Sequence, residues 1–251
     1  MGLENCGRVY FVEKIVIANL KMNMTTAEIG NYLKGIEQID TKRVIICPSA
    51  LYLPYFLKKK YKVGVQNIHF EEEGSYTGEI SPKQVASMGI HYTLIGHSER
   101  RQNFGETDLI INKKIQAAID NKLAIILCIG ETKEDRDLMK TDRVLKRQIV
   151  NALRNVKPSE IKNIIIAYEP VWAIGTSLTP KNQEIKTAAI FIKNIVKTLY
   201  NDFDVPILYG GSVSAKNIET INKIDNLNGV LVGKSSLKPS ELLKIKEIVI
   251  G

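Results

Sequence analysis

Ile164-Ile165-Ile166-Ala167-Tyr168-Glu169-Pro170-Val171-Trp172-Ala173-Ile174-Gly175-Thr176 joins an unbroken apolar run to a carboxylate, and then to a segment with a stiff start and a small, flexible tip. The run does not alternate with polar residues, so it predicts a strand buried on both faces, as in a parallel sheet. The proline and glycine that follow mark a loop. Glu169 therefore stands where a buried strand ends, beside a segment that could close over it.

Seven further apolar runs of the same kind occupy residues 14–19, 43–47, 62–66, 92–95, 123–128, 206–209 and 229–232, with the run at 164–167 sixth in order. Amphipathic stretches lie between them, and the spacing predicts helices most clearly over 108–121, 135–154, 182–200 and 239–249. Strands alternating with helices imply a parallel sheet. Eight such units in 251 residues match a (β/α)8 barrel in size and count. A doubly wound open sheet has the same alternation, and strand count alone leaves it open. No Pro-, Gly- or Ser-rich linker divides the chain, which predicts one domain over 14–251 after a short extension at 1–13. Residues 67–81 form a long polar connection after the third strand, a length usually tied to function or to an interface.

Apolar residues make up 44% of the chain and charged residues 25%, the balance of an ordinary globular protein. The net charge of +8 is spread along the chain, with Lys58-Lys59-Lys60 the one dense run, and reads as a lysine-rich solvated surface. Aromatic residues do not interleave with basic ones, which argues against a nucleic-acid partner. No apolar run approaches the ~20 residues of a membrane span, so no membrane partner is expected. The cysteines, Cys6, Cys47 and Cys128, are odd in number and form no CxxC pair. This points to a reducing, cytoplasmic compartment and away from a disulfide framework or a zinc site. Met1-Gly2 fails as a myristoylation signal because Cys6 stands where Ser or Thr is needed.

Chemistry gathers after the strands. Asn19-Leu20-Lys21 follows the first, Gly96-His97-Ser98-Glu99-Arg100 the fourth, Glu169 the sixth, Gly210-Gly211-Ser212 the seventh and Gly233-Lys234-Ser235 the eighth. Singly, each has an ordinary reading: a surface charge, a packed histidine, a turn. In a barrel they would all crowd the C-terminal face, where active sites form. Glycines after the last two strands suit a phosphate, because they let backbone N–H groups approach an anion. Gly229-Val230-Leu231-Val232-Gly233-Lys234-Ser235 imitates a nucleotide-binding P-loop, but three residues separate its glycines where that motif needs four.

Several of these stretches resemble the triosephosphate isomerase family. They are Asn19-Leu20-Lys21-Met22-Asn23, Thr77-Gly78-Glu79-Ile80-Ser81, Ile95-Gly96-His97-Ser98-Glu99-Arg100-Arg101, Tyr168 to Thr176, and Tyr209-Gly210-Gly211-Ser212-Val213. They cover nearly the whole chain in the family's order. The resemblance implies a single-domain TIM barrel that interconverts dihydroxyacetone phosphate and D-glyceraldehyde 3-phosphate, a step of glycolysis and gluconeogenesis. It implies Glu169 as the base, His97 as a neutral electrophile before a short helix starting near Ser98, and Lys21 as the charge stabiliser. Asn19 would add a hydrogen bond to substrate. Gly175, Ser212, Gly233 and Lys234 would bind the phosphate. Ser98, Glu99, Ile174, Tyr209 and Leu231 would support the site, with Ile174 and Leu231 as an apolar clamp and Tyr209 bonding the closed lid. Preorganised donors at a developing oxyanion are each worth roughly 3–4 kcal/mol of barrier. The family needs no cofactor and no metal. It is usually a homodimer in which a loop matching 67–81, with Thr77 at its tip, enters the partner's site.

The chain departs from the family pattern in four places. Leu20 replaces the usual Trp, Ser177 the usual Gly, and Leu178-Thr179-Pro180 a longer exit hinge. Lys234 replaces the second glycine of a pair, where a positive φ would now cost energy, and its side chain is expected to point outward. Two other readings remain: a Schiff-base aldolase using Lys21, and a barrel kept only as a binding protein.

Overall fold

The computed structural model describes residues 13–175 and 179–251. Its strands are β1 (Ile15–Asn19), β2 (Val44–Cys47), β3 (Lys62–Val65), β4 (Tyr92–Ile95), β5 (Ala124–Ile129), β6 (Ile164–Tyr168), β7 (Ile207–Tyr209) and β8 (Gly229–Val232). Every neighbouring pair is parallel, and β8 returns to β1 with Gly229 opposite Ile15. The sheet is thus a closed barrel with its strands in chain order, which removes the open-sheet alternative. Each expected strand forms, within one or two residues at either end.

The alternation of side chains across each strand sets the layers. Ile15 and Ile17 of β1, Ile165 and Ala167 of β6 and Leu231 of β8 fill the barrel interior. Their neighbours Val16, Ala18, Ile164, Ile166 and Val230 face the surrounding helices. Carried to the strand ends, the period of two turns Asn19 and Glu169 into the barrel mouth.

The helices are α1 (Thr26–Gly35), α2 (Leu53–Phe56), α3 (Pro82–Ser87), α4 (Ser98–Asn103), α5 (Asp108–Asp120), α6 (Lys133–Asp137), α7 (Thr141–Ala152), α8 (Asn182–Leu199), α9 (Ile218–Asn222) and α10 (Pro239–Ile250). In α8 the buried residues Ile185, Ala188, Ala189, Ile192 and Val196 recur every three or four positions, forming one apolar stripe towards the sheet.

One expected helix is wrong. The stretch 135–154 is two helices, because the chain turns at Met139, which has φ 54°. The amide of Leu138 donates to Glu134, that of Met139 to Arg136 and that of Lys140 back to Asp135, which closes α6. Its start is fixed by a capping box: Thr132 Oγ1 accepts from the Asp135 amide, and the Asp135 carboxylate accepts from the Thr132 amide. The expected extension lies outside the described residues except for Glu13, and so do Thr176, Ser177 and Leu178.

The connection 67–81 carries no helix or strand. The His69 amide donates to the Ile80 carbonyl at 2.7 Å and closes its base, and the His69 ring stacks on Phe70 with centroids 4.2 Å apart. Thr77 lies on its exposed part.

Candidate active site

The barrel mouth holds a cleft of about 280 Å³. Asn19, Lys21, His97, Glu169, Ile174, Gly175, Ser212, Leu231, Gly233 and Lys234, expected from five separate strand ends, all line it. Ser98, Glu99 and Tyr209 touch it only through other residues, and Thr77 is not part of it.

Glu169 is 2% exposed. Its Oε1 lies 3.2 Å from Nε2 of His97, and its Oε2 accepts the Ser98 amide at 3.3 Å. The backbone permits this only because two neighbours lack side chains. A Cβ at Gly130 would fall 1.7 Å from the Glu169 carbonyl oxygen, and one at Gly210 would fall 2.8 Å from Glu169 Cγ.

His97 is the N-cap of α4, and its Nδ1 accepts the Glu99 amide at 3.3 Å. A donor at Nδ1 leaves the single proton of a neutral imidazole on Nε2, the nitrogen aimed at Glu169. The short helix starting at Ser98 is as expected.

Lys21 sits at φ 52°, a left-handed state costing a non-glycine residue about 1–2 kcal/mol. Three contacts hold it there. Its amide donates to Asn19 Oδ1 at 3.0 Å, its carbonyl accepts from Gln66 Nε2 at 2.9 Å, and its ammonium donates to Glu99 Oε1 at 2.5 Å. Gln66 also donates to the Cys47 carbonyl, so it ties the ends of β1 and β2 together. Sequence reasoning passed over Gln66, since a lone glutamine at a strand end carries no pattern.

The stem after Glu169 is anchored at two points. Trp172 Nε1 donates to Glu131 Oε1 at 2.8 Å, where the Tyr168 hydroxyl also donates at 3.1 Å. The Arg136 guanidinium lies 3.8 Å from the Trp172 ring centroid and pairs with Glu184 at 2.6 Å. Burial pushes the Glu131 carboxyl above its ordinary 4.5, against the opposing pull of the Trp172 hydrogen bond. Further along, Ser212 Oγ donates to the Ala173 carbonyl at 2.5 Å. Glu131 and Arg136 are also residues that the sequence did not flag.

Tyr209 is fully buried, and among the described residues its hydroxyl has no hydrogen-bond partner; part of the lid, residues 176–178, lies outside them. Lys234 opens the 3-10 turn Lys234–Leu237 and is not among the residues with positive φ. The expected strain there is therefore absent: the turn gives it an ordinary backbone, and its side chain is exposed. Leu20 is buried in the core between sheet and helices. Among the described residues no three His, Cys, Asp or Glu side chains group as a metal set, and no helix is long and apolar enough to cross a membrane.

A (β/α)8 barrel with a buried carboxylate and an imidazole in contact at its C-terminal face is the class that this fold and cleft define. The chain belongs to the triosephosphate isomerase family, a family of isomerases, whose model matches residues 14–249. It is similar to the triosephosphate isomerase of Clostridium botulinum (strain Loch Maree / Type A3), with 40% identity over 241 residues, 92% of this chain and 97% of the relative. It is also 42% identical to that of Thermodesulfovibrio yellowstonii over 243 residues, 93% of this chain and 98% of the relative. The triosephosphate isomerase of Alkaliphilus metalliredigens is 41% identical over 243 residues, 92% of this chain and 97% of the relative.

Proposed function

We propose that this protein interconverts dihydroxyacetone phosphate and D-glyceraldehyde 3-phosphate through an enediolate, in glycolysis and gluconeogenesis and at the branch to pentose phosphates. The observation that carries this reading is the 3.2 Å contact of Glu169 with His97 Nε2 in a cleft shared with Lys21 and the glycine loops.

The geometry supports the following chemistry. Glu169 removes a proton from the carbon beside the carbonyl and returns it to the neighbouring carbon. A carboxylate is a weak base for such a proton unless water is kept away, and Glu169 is nearly inaccessible. His97 turns its Nε2–H to the carbonyl oxygen and polarises it. Lys21, fixed by Glu99 and Gln66, meets the charge that develops on the enediolate, and Asn19 adds a donor. Gly175, Ser212, Gly233 and Lys234 hold the phosphate through backbone N–H groups at the far wall. Residues 170–177 close over the substrate, with Ile174 and Leu231 against the reacting carboxylate and Tyr209 as the lid's partner. The reaction shifts a proton between adjacent carbons with no net oxidation, so it calls for no cofactor.

A homodimer accompanies this reading. Beside Lys21, His97 and Glu99 lies a second hollow of about 340 Å³, with Met22 94% and Phe104 67% exposed at its edge. Exposed apolar side chains around a hollow suit a protein contact, and the 67–81 loop of a second copy, with Thr77 at its tip, would fill it.

A coupled assay with dihydroxyacetone phosphate tests the reading directly: rapid turnover without added metal is expected, and none would sink it. The aldolase alternative predicts a borohydride-trapped adduct on Lys21. Glu99 already engages the Lys21 amine at 2.5 Å, which argues against a free nucleophile at that position.

A further inference from the structure

Asn217 stands at the N-cap of α9 but does not cap it. Asparagine at that position normally accepts an amide of the helix's first turn, and here no such hydrogen bond forms. The side chain turns back to the loop after β7 instead. Its Oδ1 accepts the Ser214 amide at 2.9 Å and the Ser214 hydroxyl at 3.3 Å, while its Nδ2 donates to the Ser212 carbonyl at 2.8 Å. One amide group thus grips both ends of the Ser212–Ser214 turn, using both acceptor sites and one donor. The turn is held from outside as well, where the Glu241 carboxylate accepts the Ala215 amide at 3.1 Å. Ser212 is the residue whose hydroxyl reaches the lid stem at Ala173. Asn217 itself lines the cleft.

We infer that Asn217 is a positioning residue for phosphate recognition: it fixes the peptide planes around Ser212 so that their N–H groups converge on the dianion. This rests on the function proposed above. The physical argument is one of preorganisation. Donors in a glycine-bordered turn have many orientations, and an anion that must order them binds more weakly. A residue that satisfies the carbonyl of Ser212 and the amide of Ser214 from one side leaves the intervening peptide groups a single arrangement.

The test uses Asn217→Ala and the isosteric Asn217→Asp, which keeps the acceptor for Ser214 and loses the donor to Ser212. In both variants the inhibition constant of inorganic phosphate and the KM of dihydroxyacetone phosphate should rise about tenfold, the order of one strong hydrogen bond. Turnover of unphosphorylated D-glyceraldehyde should stay within about twofold of wild type, because it makes no use of the phosphate loop. Wild-type phosphate inhibition in both variants overturns the inference, as does an equal loss on both substrates, which marks a structural role. Absence of isomerase activity in the wild-type chain would instead count against the proposed function itself.

Discussion

The side-chain amide of Gln66 donates to the carbonyl of Lys21 at 2.9 Å and braces that lysine in a left-handed backbone state, φ 52°. The lysine is strained, and the strain persists because its amide, carbonyl and ammonium are each held. Removing one brace lets the backbone relax and swings the ammonium off its target. Gln66→Ala should therefore lower kcat/KM about tenfold or more, since a misplacement of about 1 Å is worth up to a hundredfold. Steady-state kinetics decide it. Unchanged kcat/KM would mean that Asn19 and Glu99 suffice to hold Lys21.

Glu169→Asp shortens the carboxylate's reach by one methylene, in a pocket where Gly130 and Gly210 fix the backbone by close contact. The chain should fold as before, because nothing in the core is removed. Its kcat should fall about a hundredfold with KM changed only a few-fold. Near-wild-type turnover would remove Glu169 from the role of base.

The barrel was legible because its signals are repeated. Eight apolar runs with polar or glycine-rich ends set both the strand count and the placement of Asn19, His97, Glu169 and Gly233 at one face. The break between α6 and α7 was not legible. It has neither Gly nor Pro, and Met139 takes a left-handed φ that its residue type does not advertise. Gln66, Glu131 and Asn217 escaped for a different reason. Each acts through a hydrogen bond to a residue that the sequence did flag: Lys21, Trp172 and Ser212. Such partners are adjacent in space but, for Gln66 and Glu131, some 40 or more positions apart along the chain.

Glu131 gives stability a pH dependence. Burial raises its carboxyl above 4.5 in the folded chain. Between 4.5 and the raised value the folded state holds more protons than the unfolded one, so the stability this group contributes is present below 4.5 and lost as pH rises through that window. Glu131→Gln abolishes the titration and keeps an acceptor for Trp172 and Tyr168. The melting temperature of wild type relative to this variant should fall as pH is raised from 4.5 and then level off. A difference independent of pH would mean that Glu131 does not titrate there.

Lys234 separates the contribution of a backbone amide from that of a side chain. It follows Gly233 at the start of a 3-10 turn, with the ammonium end exposed, so what it offers an anion is its N–H group. Lys234→Ala keeps that donor and removes only a solvent-screened charge, an effect of roughly 0–1 kcal/mol. Its KM for dihydroxyacetone phosphate should rise less than about fivefold, with the change vanishing as salt is added. Lys234→Pro deletes the donor at a position where a turn tolerates proline, and should raise KM about tenfold whatever the ionic strength. If alanine proves as damaging as proline, the ammonium reaches the phosphate, and the outward orientation expected for this side chain is wrong.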